Sequence, residues 1–264
     1  MPRARWISRA FLTGIVVSAL GACGGPDADG GDADRGTAGP FRGVRVSAAA
    51  SLTDAFREVE SAFEEAHPQV DVMLNLGGTS ALRVQILEGA PVDVFASAST
   101  AQMERVVTAG EAAGDPVVFA RNRLQIAVPE GNPAGVEGLE DFGDPDLVIG
   151  LCAESVPCGE LARRTLRRAG VTPAVDTHEP DVRALLTKIE LGELDAGIVY
   201  ATDVAAAEGA VEGIPIPPEV NVRAEYPIAV LARSPNPDLA SAFVDFVLSD
   251  AGQTILADHG FGGP

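Results

Sequence analysis

From Val44 onward, short β-rich runs alternate with segments of helical period, and this alternation restricts the chain to few folds. Strands that alternate with helices favour an α/β fold with parallel strands. The predicted strands are residues 44–49, 70–75, 92–96, 124–128, 147–151, 196–200 and 228–232. No internal repeat occurs along the chain, and no low-complexity stretch follows residue 40. The sequence therefore predicts a folded α/β protein from residue 44 onward.

Helices are predicted between these strands. In the first, apolar residues from Leu52 to Phe63 recur at helical spacing, and His67-Pro68 ends the helix. A later helix begins near Val182 and ends at Gly192. Further helical periods cover residues 82–86, 103–107, 159–169 and 239–247.

The folded part of the chain is long enough for two lobes. About 220 residues exceed the 100 to 150 that are most common for one domain. Residues 124–128 and 226–231 resemble a pair of segments that cross between lobes. We therefore predict a first lobe of residues 44–124 with 225–264, and a second lobe of residues 125–224.

The N-terminus has the pattern of an export signal. Arg3, Arg5 and Arg9 precede an apolar run at residues 11–20, which is far shorter than the roughly 20 residues of a spanning helix. Residues 20–23, Leu-Gly-Ala-Cys, resemble a bacterial lipobox, so we predict a signal peptide at residues 1–22 and a lipid on Cys23. The alternative is a soluble secreted protein in which Cys23 has no role.

The next segment is predicted to be a tether. Residues 23–43 follow the signal peptide, and from residue 24 to residue 40 they consist largely of Gly, Asp and Pro without apolar periodicity. The formal net charge of the chain is −19, and it becomes −22 when Arg3, Arg5 and Arg9 leave with the signal peptide. A charge this negative argues against nucleic acid as a partner.

Two cysteines remain if Cys23 is lipidated. Cys152 and Cys158 form an even pair in an oxidising compartment, which favours a disulfide. The small loop would stabilise the fold by roughly 2 kcal/mol in the chain-entropy model. Two free buried thiols are the alternative.

Four junctions between a strand and a helix carry small or hydroxyl residues. These junctions lie at Ser51, at Thr79 with Ser80, at Cys158 and at Val182. Helix N-termini present unpaired N–H groups and the positive end of the helix dipole, so they bind anions without charged side chains.

Each junction also has an ordinary structural interpretation. Ser51 with Asp54 fits a capping box, and Thr79 or Ser80 fits an N-cap after a Gly-Gly turn. Tyr200, which ends an apolar strand, fits either a core residue with a satisfied hydroxyl or a hydrogen-bond donor into a cleft.

Signatures of catalysis are weak in this sequence. The chain has no G-x-S-x-G elbow, no P-loop, no G-x-G-x-x-G and no H-E-x-x-H motif. His67, His178 and His259 lie in polar stretches and are predicted to be solvated, which argues against a zinc site. Carboxylate pairs are so abundant that a glycosidase dyad stays open.

Six segments in this order resemble one family. They read AAASLTDAF, LEGAPVDVFASAS, SVPCGELA, EPDVRALL, GIVYATD and EYPIAVL, and the similarity covers residues 44–261. Together they resemble the molybdate-binding proteins of ABC uptake systems. The resemblance implies a two-lobed periplasmic-binding-protein fold of type II, in which each lobe is a mostly parallel sheet flanked by helices. It also implies one oxyanion, held in the cleft by neutral donors.

The resemblance assigns ligand roles residue by residue. Ser51 matches the hydroxyl and N–H of the first segment, Cys158 and Val182 match backbone N–H donors, and Tyr200 matches a phenol donor. Thr79 matches the second hydroxyl ligand, with Ser80 as an additional candidate because GGTSA departs from the family's serine run. No cofactor and no direct cation ligand are implied. Asp54, close to the anion, is expected to turn its side chain back along the capping box.

The implied function is that of a monomeric lipoprotein on the outer face of the cell membrane. Such a protein captures molybdate or tungstate and delivers it to an ABC permease and its ATPase, without being an enzyme. Carriers of sulfate, phosphate or ferric ion are alternatives, although ferric carriers commonly cluster tyrosines and only Tyr200 and Tyr226 occur here. A surface hydrolase or lyase and a ligand-sensing domain without transport are the remaining alternatives.

Overall fold

The computed structural model describes residues 43–264. The predicted signal peptide, the lipidated Cys23 and nearly all of the predicted tether lie outside the described residues. Among residues 43–264, no single helix is long and apolar enough to cross a membrane. The helices α7 (Pro237–Leu248) and α8 (Asp250–Asp258) reach that length and apolarity only when taken together, and they are bent by 58° relative to each other.

The described residues form two five-stranded sheets. The strands are β1 (Gly43–Ala49), β2 (Asp71–Gly77), β3 (Val94–Ala96), β4 (Val117–Asn122), β5 (Leu124–Pro129), β6 (Ile149–Cys152), β7 (Thr177–Glu179), β8 (Ala196–Tyr200), β9 (Val211–Pro215) and β10 (Ala224–Val230). The first sheet has the order β2-β1-β3-β10-β4, and the second has the order β7-β6-β8-β5-β9. Each sheet is mixed, with two parallel and two antiparallel pairings, where the sequence predicted mostly parallel strands.

Helices connect most of the strands. Besides α7 and α8, they are α1 (Thr53–Ala66), α2 (Thr79–Leu87), α3 (Thr100–Thr108), α4 (Pro157–Ala169), α5 (Val182–Glu190) and α6 (Ala201–Ala206). Helix α1 forms where the apolar period predicted it, and it buries Ala55, Phe56, Val59 and Phe63. The rings of Phe56 and Phe63 pack edge-on against Phe243 of α7, which fixes α1 on the first sheet.

The chain passes between the two sheets twice. Residue 123 separates β4 from β5, and residues 216–223 separate β9 from β10. The side chain of Asn221 ties the two crossings together, because its Oδ1 accepts the N–H of Leu124 (3.2 Å) and its Nδ2 donates to the carbonyl of Leu124 (2.8 Å). The predicted crossing partners, residues 124–128 and 226–231, do not pair with each other, since β5 belongs to the second sheet and β10 to the first.

Three strands escaped the sequence prediction. Strands β4, β7 and β9 are edge strands that carry charged, polar, Gly or Pro residues, so they lack a strong apolar pattern. Strand β10 begins at Ala224 rather than at residue 228, because Pro227 lies at an irregularity in its register with β4, where a missing N–H is tolerated.

Candidate functional site

Helices that follow strands of both sheets have their N-termini around one small cavity. Strands β1 and β2 run parallel in the first sheet, as do β6 and β7 in the second, so the carboxyl ends of each pair lie at the same edge. The residues that line the cavity are Ala49, Ala50, Ser51, Gly78, Thr79, Ala98, Val156, Pro157, Cys158, Asp181, Val182 and Tyr200. The cavity has a volume of ≈ 20 Å³, measured as the space open to the centre of a water molecule. It therefore suits a small bound group in this closed arrangement.

Three hydroxyl groups line this cavity. The Ser51 Oγ lies 2.9 Å from the Tyr226 hydroxyl, and the Thr79 Oγ1 accepts the N–H of Ala98 at 3.2 Å. The acceptor role leaves the Thr79 proton free to donate. The Tyr200 hydroxyl is buried and makes no hydrogen bond of ordinary geometry among residues 43–264, although the Tyr226 phenol is near enough to add to the effect of burial on its pKa. Buried hydroxyls are nearly always bonded, so this phenol is available to donate to a group bound in the cavity.

Backbone N–H groups add to these donors. Cys158 and Val182 lie in the first turns of α4 and α5, where N–H groups have no acceptor within the helix. A disulfide joins Cys158 to Cys152 at the end of β6, with the Cα atoms 5.8 Å apart. Gly159 permits the close approach, because a Cβ there would lie 2.1 Å from the carbonyl oxygen of Ala153. These contacts hold the start of α4 against the end of its strand.

Neutral groups dominate the lining. No Lys, Arg or His is among the lining residues, and the one charged residue, Asp181, uses Oδ1 to accept the N–H of Ala184 as the cap of α5. Burial raises the pKa of Tyr200, so its phenol stays protonated and able to donate. The site can therefore offer hydrogen bonds to an anion without a cationic side chain.

A buried carboxyl lies behind Tyr200. The Asp203 Oδ2 accepts the N–H of Tyr200 at 3.0 Å, and Asp203 is only 2% exposed. Burial raises the pKa of Asp203 to about 7, against the lowering effects of this hydrogen bond and of Arg183. Asp203 therefore keeps its proton to a higher pH than an exposed aspartate does.

The two halves of the site are in direct contact at several places. The Ser80 Oγ donates to the carbonyl of Ser155 at 2.5 Å, and Arg183 forms an ion pair with Asp54. Gly78 approaches the second half closely enough that a Cβ on it would lie 2.8 Å from the carbonyl oxygen of Pro180. The structure is thus in a closed arrangement, with the two halves in contact beside the cavity.

The structure brings together five of the residues singled out in the sequence. Those that line the cavity are Ser51, Thr79, Cys158, Val182 and Tyr200. Ser80 is not among the lining residues, because its side chain is used in the contact with Ser155.

Local expectations for the starts of α1 and α2 were wrong, since the N-cap of α2 is Gly78 rather than Thr79 or Ser80. Ser51 lies in a short 3₁₀ helix, Ala50–Leu52, and the N-cap of α1 is Leu52, which has no side-chain cap hydrogen bond. The predicted capping box is therefore absent from the start of α1. The side chain of Asp54 does not turn back along α1 but pairs with Arg183.

Sequence reasoning missed Tyr226, Gly78 and Asp203. Tyr226 lies in the EYPIAVL segment, but nothing local to it indicates that its hydroxyl meets Ser51, 175 residues away. Asp203 follows the Tyr200 strand by three residues, a spacing that could have suggested its bond to the Tyr200 N–H.

The histidines lie elsewhere in the described structure. His67 stacks on Phe63, His259 contacts Glu58, and His178 is exposed. His67 and His259 are partly buried, so the prediction of full solvation holds only for His178. Residues 43–264 contain no group of three or more His, Cys, Asp or Glu side chains placed to hold a metal ion.

Comparison with known proteins identifies the family to which this chain belongs. Residues 44–262 match the family model described as bacterial extracellular solute-binding protein. The chain belongs to this family. It is a family of extracytoplasmic binding proteins and not an enzyme family.

Relatives of this solute-binding protein include molybdate-binding proteins. It is 38% identical over 265 residues to the molybdate-binding protein ModA of Mycobacterium tuberculosis, covering 98% of this chain and 100% of the relative. The periplasmic molybdate-binding protein of Azotobacter vinelandii has a similar fold, with a TM-score of 0.73 at 17% identity, covering 84% of this chain and 99% of that chain. The sulfate-binding protein SubI of M. tuberculosis also matches with a TM-score of 0.73, at 20% identity, covering 83% of this chain and 86% of that chain. The predicted two-lobed periplasmic-binding-protein fold of type II is confirmed.

Proposed function

We propose that this solute-binding protein captures molybdate, and tungstate as well, in the cavity between its two lobes. The observation that carries the proposal is the Tyr200 hydroxyl, which is buried at a cavity of neutral donors and makes no hydrogen bond of ordinary geometry among residues 43–264. A tetrahedral oxyanion accepts hydrogen bonds at every corner, so it satisfies donors that converge from several sides. The 38% identity to a relative named for molybdate binding supports this choice of anion.

The ligand set of this proposal is Ser51, Thr79, Cys158, Val182 and Tyr200. The hydroxyls of Ser51, Thr79 and Tyr200 donate, and the N–H groups at the helix starts donate beside them. A micromolar site needs about 8 kcal/mol. Hydrogen bonds to a charged group contribute roughly 1.5 to 3 kcal/mol each, so three to five good donors suffice. Neither a cofactor nor a bound cation takes part.

Delivery to a transporter completes the proposed role. The lobes close around the anion, and an ABC permease with its ATPase accepts the anion from the closed protein. A lipid on Cys23 and the segment up to residue 43 hold the monomeric domain at the outer face of the membrane. Mass spectrometry of the membrane-extracted protein tests the anchor, and an unmodified Cys23 in a mature chain contradicts it.

The main alternative is another oxyanion. A sulfate-binding protein shares the fold, but at 20% identity this likeness concerns the fold alone. Sulfate and molybdate are both tetrahedral dianions with similar acceptor patterns, so discrimination between them rests mainly on the size of the cavity.

Isothermal titration of the mature domain tests the proposal. Molybdate and tungstate are expected to bind at micromolar concentration or below, and sulfate and phosphate much more weakly. Circular dichroism before each titration confirms that the protein is folded. A folded protein that gives no heat with molybdate or tungstate contradicts the proposed function, and tight binding of sulfate instead establishes the alternative.

A further inference from the structure

An ion pair joins the two lobes beside the proposed anion site. Arg183 on α5 pairs with Asp54 on α1, and 129 positions separate them in the chain. Asp54 lies three residues after Ser51, and Arg183 directly follows Val182. Their side chains are 39% and 29% exposed, so the pair lies at the rim of the cleft rather than in the core.

The stability of α5 does not explain the position of Arg183. Cations near a helix N-terminus are electrostatically unfavourable, and Arg183 is the second residue of α5. Asp54 on α1, by contrast, occupies a helix start where a carboxylate is favourable. The carboxylate that forms an ion pair with Arg183 belongs to the opposite lobe, although Arg183 also acts on the pKa of Asp203 in its own lobe.

The negative charge of Asp54 is unfavourable for binding of an anion nearby. Asp54 follows Ser51 by three residues in the same lobe, and a negative charge on this side of the cleft repels a bound dianion. The charges of this pair act on the wall of the cavity, because Arg183 lowers and Asp54 raises the pKa of Asp203, whose main shift comes from burial. Asp203 in turn accepts a hydrogen bond from the N–H of Tyr200, a residue that lines the cavity. The charges of Arg183 and Asp54 therefore act on a group in direct contact with the cavity lining.

We propose that Arg183 is an affinity-determining residue that neutralises Asp54 as the lobes close, so that the bound oxyanion does not face an uncompensated carboxylate. This inference rests on the proposed function. It assigns Arg183 a role beyond the five donors, because Arg183 acts on the anion through the charge of Asp54 and is not itself among the residues that line the cavity.

Neutralisation of Asp54 by Arg183 predicts that the two single substitutions affect anion affinity unequally, whereas an ion pair that only holds the lobes together predicts equal effects. If the pair only held the lobes together, loss of either partner would weaken binding equally. If Arg183 neutralises Asp54, the variant Arg183→Gln leaves a bare carboxylate near the anion, whereas Asp54→Asn leaves a bare cation. Only Arg183→Gln should then weaken binding, and the double variant should be near the wild type.

Titration of molybdate into four proteins tests the inference: the wild type, Arg183→Gln, Asp54→Asn and the double variant. We expect Arg183→Gln to raise the molybdate Kd about three- to tenfold. A change of this size is expected because one unit charge acts on a dianion through largely solvated surroundings. Asp54→Asn should leave Kd unchanged or lower it, and the double variant should restore Kd to within about twofold of the wild type. Added salt should shrink the effect of Arg183→Gln.

A matched ion pair within the first lobe provides the control. Arg233 and Glu111 form an ion pair away from the cavity lining, so Arg233→Gln and Glu111→Gln should not change Kd. Thermal melting confirms that each variant is folded. Equal weakening by both cleft substitutions, or an unchanged Kd for Arg183→Gln, overturns the inference while leaving the proposed function intact. Absence of molybdate binding by the wild type instead overturns the proposed function.

Discussion

The Ser51 Oγ lies 2.9 Å from the Tyr226 hydroxyl, which directs a side chain at the start of α1 toward the first-lobe strand β10. Ser51→Ala removes no cap of α1, but it takes away the partner of the buried Tyr226 hydroxyl, so the melting temperature should fall modestly. The same change removes a donor to the anion, and we expect the molybdate Kd to rise about tenfold or more. Titration and thermal melting of the variant measure the two effects. A lowered melting temperature with unchanged Kd would show that Ser51 is structural only.

Tyr200 and Tyr226 should respond oppositely to removal of their hydroxyls. The Tyr200 hydroxyl makes no hydrogen bond of ordinary geometry among residues 43–264, so Tyr200→Phe removes an unsatisfied buried group and should leave the ligand-free protein as stable or more stable. Its molybdate affinity should nevertheless fall about tenfold, because a donor to the anion is lost. Tyr226→Phe serves as the comparison, since its hydroxyl is bonded and its loss should lower the melting temperature. Unchanged affinity in Tyr200→Phe would contradict the ligand role of the phenol.

Closure of the lobes should depend on the absence of a side chain at Gly78. A Cβ at this position would lie 2.8 Å from the carbonyl oxygen of Pro180, so Gly78→Ala forces the lobes apart. We expect molybdate affinity to fall at least tenfold, and small-angle scattering with molybdate to show a more open protein. Gly77→Ala is a matched control, because its Cβ would meet Leu82 at an ordinary 3.7 Å. Equal affinities of the two variants would contradict this account of closure.

Asp203 should make stability depend on pH. Burial raises its pKa to about 7 in the folded protein, whereas an unfolded aspartate has a pKa of about 3.9. Between these values the folded state holds a proton that the unfolded state has released, so the free energy of unfolding falls as pH rises from about 4 to about 7. Asp203→Asn, which keeps an acceptor for the Tyr200 N–H, should flatten this fall. Melting temperatures at pH 5 and pH 8 measure it, with exposed Asp115→Asn as the control, and parallel curves for wild type and Asp203→Asn would contradict it.

The start of α1 shows how far local sequence reasoning reaches. The apolar period from Leu52 to Phe63 predicted a helix, and the helix is present because one face is buried against Phe243. The spacing of Ser51 and Asp54 predicted a capping box, yet both side chains bond residues more than a hundred positions away. Partners at such separations are chosen by packing, which a local pattern does not contain.

Thr79 and Ser80 make the same point about the candidate site. Both are hydroxyl residues at the start of α2, and the sequence left the choice between them open. In the structure Thr79 is buried at the cavity while Ser80 points across to Ser155. Adjacent residues on a helix point in directions about 100° apart, so the docking of α2 between the lobes decides which one faces the cavity.

The sequence by itself determined the α/β class, the main helices, and the family resemblance that assigned Ser51, Thr79, Cys158, Val182 and Tyr200 to one site. These properties follow from apolar periodicity and from motifs that occupy consecutive residues. Tertiary structure alone decided that Tyr226 bonds Ser51, that Arg183 pairs with Asp54, and that the Tyr200 hydroxyl makes no hydrogen bond of ordinary geometry among residues 43–264. The physical reason is that hydrogen bonds and ion pairs act over a few ångströms, and only the folded chain brings such distant residues within that range.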